Sequence, residues 1–224
     1  MDAMIFDFDG VVVDSEPIHL AGFQHVLADI GIELSREDYY RTYLGYDDYD
    51  CLRIAARDVG IELGERRIAE LTAAKTRLVQ RAFAESVQPM PGAVTLIRAA
   101  HAAGVPLAIC SGALGGEVRL ASRTIGVLDC FAAIVAAEDV ERGKPDPEGY
   151  LQARRQLSRR VGRELPAGRC IVVEDAPAGI DAAKAAEMKV LAVTTSYPAD
   201  RLADADRVVG SLADVTVASL DELL

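Results

Sequence analysis

The chain changes from a helix-only pattern to alternating helices and strands at a break rich in proline, residues 87–92. Between about residue 15 and this break the sequence predicts helices alone, whereas after it strand-like apolar runs alternate with helical patterns. Strands separated by helices are typical of parallel βαβ units in a doubly wound sheet. An apolar strand, Ala3–Phe6, precedes the helical stretch. We therefore predict an α/β fold, with a doubly wound, Rossmann-like parallel sheet formed by 1–14 and 87–224, and an inserted all-α cap domain formed by 15–86.

Turn and capping residues set the bounds of the predicted elements. Ser15 is expected at the N-cap of the first helix, and Ser35 with Asp38 has the spacing of a capping box for the second. The later predicted helices are 65–85, 93–103, 117–125, 147–159 and 178–187. The later predicted strands are 105–110, 132–135, 170–173, 190–194 and 207–209.

Composition excludes several classes of protein. The 224 residues are 50% hydrophobic, enough for a substantial core without disulfides, and the net charge of −11 disfavours nucleic acid as a partner. The sequence predicts no membrane span and no signal peptide. The four cysteines form no CxxC pair, and Cys110 and Cys170 fall in predicted buried strands, where we expect inert thiols. We therefore expect a cytoplasmic protein; a monomer is the default for the predicted architecture.

Two carboxylates two residues apart, Asp7 and Asp9, follow the first strand in the segment Asp7-Phe8-Asp9-Gly10. Their mutual repulsion is costly unless a cation or a reaction occupies the space between them. Gly10 permits a sharp turn that re-aims the second carboxylate. The pair therefore indicates a nucleophile, an acid–base group and a divalent metal.

Polar groups also follow or precede two other predicted strands. Ser111-Gly112 follows one strand, Glu174-Asp175 follows another, and Gly143-Lys144-Pro145 comes before the latter. A Ser hydroxyl and the backbone N–H groups after it can hold phosphate oxygens. A Lys ammonium can face a phosphate or a carboxylate, and an acid pair supplies the oxygen ligands that Mg²⁺ prefers. Ligands of such sheets bind beyond the carboxyl ends of the strands, where these groups should meet.

These segments resemble, in order, the four motifs of the haloacid-dehalogenase-like superfamily. The resemblance covers nearly the whole chain. Within the superfamily, the chain is most similar to the phosphotransferase branch with a helical cap, and in that branch to the β-phosphoglucomutase and phosphoglycolate phosphatase group. The matching segments are Asp7-Phe8-Asp9-Gly10-Val11 with Asp14-Ser15-Glu16; Ser111; Gly143-Lys144-Pro145 with Asp146-Pro147; and Val173-Glu174-Asp175 through Gly179-Ile180. The resemblance implies a phosphatase that acts on a small phosphate ester.

The resemblance also implies the chemical roles. Asp7 would form an aspartyl-phosphate, and Asp9 would protonate the leaving oxygen and then activate water. An acid at the position of Asp9 argues against dehalogenation, because a halide leaving group needs no proton. Ser111 with Gly112, and Lys144, would hold the phosphoryl oxygens.

A Mg²⁺ cofactor is part of the same resemblance. Its ligands would be the Asp7 carboxylate, the Asp9 backbone carbonyl and Asp175, with Glu174 ligating or supporting them.

The predicted cap is expected to choose the substrate. Five of the seven tyrosines lie between residues 39 and 49, and segment 43–50 matches the specificity loop of the family, with Gly45 as its turn. This segment contains three Asp and no Lys or Arg. Asp47 and Asp48 would repel a second phosphate, which favours hydrolysis of a monophosphate with a hydroxylated or amine-bearing leaving group.

Other cap residues leave this specificity open. Lys75 aligns with a cap lysine of the mutase branch and could supply a cation from another side, which would weaken the repulsion. His19 is a candidate for contact with Asp9 or the substrate, or else an ordinary helix residue. Tyr46 and Tyr49 are the better contact candidates among the tyrosines, the alternative being that the cluster packs between helices.

Three other functions agree less well with the sequence than a phosphatase does. A β-phosphoglucomutase-like mutase would need to bind a bisphosphate, and the missing loop cation counts against it. A phospho-aspartate switch would lack the inserted cap. A ligand-binding pseudoenzyme is disfavoured because every catalytic position is intact. Phosphonate hydrolysis would require a Schiff-base lysine early in the cap, and residues 15–30 contain no Lys.

Overall fold

A computed structural model describes residues 1–43 and 46–224. The chain divides into two compact units, one formed by Met1–Asp14 with Val87–Leu224 and the other by Ser15–Ser86. We refer to them as the core unit and the helical unit. No helix among the described residues is long and apolar enough to cross a membrane.

The core unit contains a six-stranded, fully parallel sheet in the order β5-β4-β1-β6-β7-β8. Its strands are β1 (Ala3–Phe6), β4 (Leu107–Cys110), β5 (Ala133–Val135), β6 (Cys170–Glu174), β7 (Lys189–Val193) and β8 (Arg207–Val209). The short strands β2 (Val13–Asp14) and β3 (Gln88–Pro89) pair antiparallel beside it. The predicted doubly wound α/β fold is confirmed.

Helices α5 (Ala93–Ala102), α6 (Gly115–Thr124), α7 (Glu148–Val161) and α8 (Pro177–Ala185) join the strands of the core unit, and α9 (Val217–Leu220) follows the last strand. The three central strands, β1, β4 and β6, are buried at every residue, as expected for strands covered on both faces. Strand β1 lies between β4 and β6, so the chain crosses from one side of β1 to the other. This reversal is where doubly wound sheets bind their ligands.

The helical unit contains α1 (Glu16–Ala28), α2 (Arg36–Asp38), α3 (Asp48–Asp58) and α4 (Glu65–Ser86). A π-helical turn, Tyr39–Tyr43, follows α2 directly. Ser35 caps α2 as predicted, because its hydroxyl oxygen accepts a hydrogen bond from the Asp38 N–H at 3.0 Å. That this unit serves as a cap stays a prediction.

Two local predictions need correction. Ser15 occupies the N-cap position of α1, but its backbone is helical (φ −88°, ψ −22°) and its side chain accepts no capping hydrogen bond; Pro17 lies in the first turn, where a missing N–H costs little. Segment 43–50 is not a continuous loop, because α3 begins at Asp48. Asp47 is its N-cap and accepts from the Asp50 N–H at 2.8 Å.

Candidate active site

Asp7 lies at the centre of the sheet, directly after β1. The backbone N–H of Asp7 donates to the carbonyl of Val173 at 2.9 Å, which continues the β1–β6 ladder one residue beyond the strand. On the other side of β1, the register pairs Phe6 with Ile109, so Ser111 follows β4 at the same edge. The parallel register thus brings the predicted strand-end groups to one edge of the sheet.

Lys144 connects two carboxylates at this edge. Its ammonium donates to Asp7 Oδ1 and to Glu174 Oε1, both at 2.6 Å. The side chains of Asp7 and Lys144 are 12% and 20% exposed, whereas that of Glu174 is 1% exposed. Lys144 therefore fixes the position of a carboxylate that a small solute can still reach.

Glu174 and Asp175 are held by further partners. The Tyr150 hydroxyl donates to Glu174 Oε1 at 2.6 Å, and the N–H groups of Asp175 and Ala176 donate to Glu174 Oε2 at 2.9 and 3.1 Å. The Ser196 hydroxyl donates to Asp175 Oδ2. Sequence reasoning missed Tyr150 and Ser196, although Ser196 follows the end of β7 and the strand-end rule could have found it.

A tight turn follows Asp7 and places Asp9. The Phe8 carbonyl accepts from the N–H groups of Val12 and Val13 at 2.8 and 3.1 Å, and Asp9 forms an isolated bridge with Val13. Gly10 has φ +72°, and a Cβ at this position would clash with the carboxylate of Asp175. Only glycine fits there, because both the backbone angle and the close approach exclude a side chain. The half-buried Asp9 directly precedes this turn.

Ser111 and Gly112 begin the turn between β4 and α6. The Ser111 hydroxyl oxygen accepts from the Ala113 N–H at 2.9 Å, which leaves its proton available for donation, and Ser111 is 6% exposed. Gly112 is exposed, and a Cβ there would have nothing within 4 Å. Contact of either residue with a phosphate stays a prediction.

The site has an excess of negative charge. Asp7, Glu174 and Asp175 each offer a carboxylate oxygen, all within 4.8 Å of one another, against the one ammonium of Lys144. Burial raises the pKa of Asp7 well above its usual range, and burial with the nearby Glu174 raises the pKa of Asp175 to about 7 despite the Ser196 hydrogen bond. Burial alone would lower the pKa of Lys144, but attraction to Asp7 and Glu174 raises it well above its ordinary value.

Clustered carboxylate oxygens with an excess of negative charge suit Mg²⁺, so these residues fit the expected metal. The Asp9 side chain is not part of this group among the described residues. Its expected ligand atom is the backbone carbonyl, and that assignment stays a prediction.

In the absence of metal, the melting temperature should rise when the pH is lowered from about 8 to about 6. The unfolded pKa of Asp175 is about 3.9, whereas its folded pKa is about 7. Between these values the folded state binds more protons, so its stability decreases as the pH rises. Thermal unfolding in chelator should show this slope, and Asp175→Asn or saturating Mg²⁺ should flatten it. A slope of the opposite sign, or one that Asp175→Asn leaves unchanged, would contradict the charge excess.

The helical unit contains a buried charged group, Lys75, which the sequence offers as a possible cation for a second phosphate. Lys75 on α4 is 1% exposed, and its ammonium donates to the Asp48 carboxylate and contacts His19 Nδ1 at 3.1 Å. It also lies 3.9 Å from the centre of the Phe23 ring. Because an ammonium can only donate, Nδ1 accepts and the His19 ring carries its proton on Nε2. The repulsion attributed to Asp48 needs revision, since its charge is balanced by Lys75.

The tyrosine cluster divides into packed and exposed members. Tyr39 and Tyr43 are buried, and their hydroxyls donate to Glu16 at 2.8 Å and to Asp58 at 2.9 Å, as expected for residues that pack between helices. Tyr46 and Tyr49 are 48% and 38% exposed. They remain candidates for substrate contact. Gly45, the expected turn of the specificity loop, lies outside the described residues.

A family model described as a haloacid dehalogenase-like hydrolase matches residues 1–187. The chain belongs to this family. Hexitol phosphatase A of Escherichia coli (strain K12) is 32% identical over 216 residues, which cover 95% of this chain and 92% of the relative. Protein CbbY of Rhodobacter capsulatus is 30% identical over 230 residues, which cover 100% of this chain and 99% of the relative.

Solved structures agree with these relatives. A mutant of CbbY from Rhodobacter sphaeroides in complex with xylulose-(1,5)bisphosphate superimposes with a TM-score of 0.84 at 26% identity, covering 98% of this chain and 99% of that one. The family and its phosphatase-named relatives confirm the predicted enzyme class: the chain is a phosphoric monoester hydrolase.

Proposed function

We propose that this haloacid dehalogenase-like hydrolase is a Mg²⁺-dependent phosphatase that hydrolyses a small phosphomonoester through an aspartyl-phosphate on Asp7. The observation that carries the proposal is the Asp7 carboxylate at the centre of the sheet edge, held by Lys144 through Oδ1. No other hydrogen bond to this carboxylate is found in 1–43 and 46–224. Its second oxygen is therefore available to attack phosphorus.

The expected metal would be held by Asp7, Asp175 and the Asp9 carbonyl, with Glu174 ligating or supporting. When bound, Mg²⁺ supplies the positive charge that neutralises the phosphoryl oxygens and the carboxylates around them. Support for this assignment comes from the charge excess of the three clustered carboxylates.

In the first step, an Asp7 oxygen bonds to phosphorus while the bond from phosphorus to the leaving oxygen breaks. Asp9 gives that oxygen its proton, so the leaving group departs as a neutral alcohol. Lys144 and the Ser111 hydroxyl with the Gly112 N–H stabilise the transferring phosphoryl group, because each can donate to an equatorial oxygen.

In the second step, Asp9, now a carboxylate, takes a proton from water as the water oxygen bonds to phosphorus. The bond from phosphorus to Asp7 breaks, and inorganic phosphate leaves with the Asp7 carboxylate restored. Asp9 thus acts as acid and then as base.

We further propose a leaving group that is uncharged and hydroxylated, such as a sugar or a polyol. Hexitol phosphatase A supports this class by its name, and the Lys75–Asp48 pair supports it because both charges are balanced within the helical unit. His19, Tyr46, Asp48 and Lys75 remain proposed substrate-side residues, as does Gly45. The enzyme is expected to act in the cytoplasm as a monomer, on a small molecule rather than on nucleic acid.

Phosphate release from a panel of small phosphomonoesters with and without Mg²⁺ tests the proposal. The panel would include hexitol phosphates, ketose 1-phosphates and xylulose 1,5-bisphosphate. We expect metal-dependent release, with higher kcat/KM for monophosphates than for the bisphosphate. A coupled assay that converts β-glucose 1-phosphate with a bisphosphate primer would detect mutase activity. Isomerisation without net release would overturn hydrolysis, and preference for the bisphosphate would overturn the proposed leaving group.

A further inference from the structure

A strongly basic segment lies at the end of α7, in a chain whose net charge is −11. Between residues 154 and 169 there are six arginines and one acidic residue, Glu164. Like charges at such density destabilise a folded surface unless a counter-charge approaches. This segment is therefore the part of the core unit best suited to attract an anion.

The arginines surround a groove of about 470 Å³. Arg154, Arg155, Arg159 and Arg163 line it with Ser158 and Glu164. It is a shallow groove that is open to solvent, rather than an enclosed cavity. The groove lies wholly within the core unit.

Two of these cations have neither a hydrogen bond nor an ion pair in the part of the chain that the structure describes. Arg154 donates to the Leu165 carbonyl at 2.8 Å, and Arg163 pairs with Asp2 at 3.1 Å. Arg155 and Arg159, one helical turn apart, are exposed and form no hydrogen bond or ion pair among the described residues. Their guanidinium groups are free to form paired hydrogen bonds with phosphate oxygens.

The dipole of α7 explains only part of this pattern. Cations in the last turn of a helix complement its negative end, which accounts for Arg159 and Arg160. Arg155 lies before the last turn, and Arg163 lies beyond Val161, where the helix ends. Stabilisation of the helix end therefore does not explain why Arg155 and Arg163 line the groove.

We propose that this groove binds a small polyanion with two or more phosphate groups, such as a polyphosphate chain. Arg155 and Arg159 each offer a guanidinium group that can form paired hydrogen bonds with a separate phosphate group, so a ligand with two phosphates would use both. The site is distinct from the candidate active site, because Arg159 lies nine residues beyond Tyr150, roughly 13 Å along α7. The proposal does not depend on the proposed function.

Titration calorimetry with sodium tripolyphosphate, in chelator and at low salt, tests this site. We expect binding that weakens with added salt and that falls about tenfold or more in Arg155→Gln/Arg159→Gln, because two charge-assisted contacts are removed. The matched control is Arg77→Gln/Arg81→Gln, an exposed pair with the same spacing on α4 and the same loss of charge. The control should bind tripolyphosphate as the wild type does, and both variants should retain phosphatase activity.

Four outcomes would overturn the proposal. They are the absence of binding, binding that survives Arg155→Gln/Arg159→Gln, an equal loss in the control pair, and tighter binding of a single-stranded oligonucleotide than of tripolyphosphate. Binding that survives Arg155→Gln/Arg159→Gln would place the anion elsewhere. An equal loss in the control pair would indicate attraction by net charge alone, and tighter binding of the oligonucleotide would indicate a nucleic-acid surface.

Discussion

Asp7→Asn should lower phosphate release by a factor of about 10³ or more, because an amide cannot form the aspartyl-phosphate. The substitution preserves the size of the side chain and its place after β1. It also removes one of three clustered carboxylates whose burial is unfavourable. The melting temperature in chelator should therefore not fall, which separates loss of chemistry from loss of fold.

The assay is single-turnover and steady-state phosphate release with Mg²⁺, using the best substrate of the panel. Asp181→Asn, which makes the same change at an exposed position of α8, is the matched control and should behave as the wild type. Asp7→Ala guards against slow conversion of the new Asn back to Asp. Residual activity within tenfold of the wild type in Asp7→Ala would refute the nucleophile assignment.

The sequence predicted this edge of the sheet well because its geometry follows from topology. Once β1, β4 and β6 are recognised as parallel neighbours, the residues after each strand must meet at one edge. Asp7, Ser111 and Glu174 needed no further information. Lys144 was harder, since it lies in the segment before α7, and the sequence left open whether its ammonium faces a phosphate or a carboxylate; in the structure it donates to Asp7.

Sequence reasoning missed two residues that support the site, Tyr150 and Ser196. Tyr150 lies on the buried face of α7, where an aromatic residue is ordinary core, and only the fold shows its hydroxyl against Glu174. Ser196 lies three residues beyond the end of β7. A hydroxyl in a turn carries little information until its partner, Asp175, is known.

The charge of the helical unit was misjudged for a different reason. Asp48 and Lys75 are 27 residues apart, and no local pattern links them. Segment 43–50 contains three acidic residues and no Lys or Arg. Packing of α3 against α4 brings Lys75 to Asp48 from outside this segment. Local sequence windows give the composition of a surface, but ion pairs between helices depend on tertiary contacts.

Asp48→Asn should destabilise the helical unit more than any other single charge removal in α3. Lys75 is 1% exposed, so loss of its carboxylate partner leaves a buried cation whose remaining partners among the described residues are His19 and the Phe23 ring. Breaking such a pair from one side costs about 3 kcal/mol. For a protein of this size we expect the melting temperature to fall by about 6–10 °C.

Circular dichroism at a helix-sensitive wavelength would follow the unfolding of Asp48→Asn, Lys75→Met and the double variant. The double variant should recover much of the loss, because it leaves neither charge uncompensated. Asp50→Asn is the matched control: it lies in the same first turn of α3, but its partner Arg53 is exposed, so the change should be within about 0.5 kcal/mol.

The same variants test whether the pair limits the substrate. With Asp48 neutralised, the charge of Lys75 is no longer balanced, so the KM for xylulose 1,5-bisphosphate should fall relative to that for a monophosphate, while Asp50→Asn leaves the ratio unchanged. Destabilisation without any change in this ratio would make Asp48 and Lys75 a purely structural pair. Equal stability of Asp48→Asn and Asp50→Asn would mean that His19 and Phe23 suffice to hold the buried ammonium.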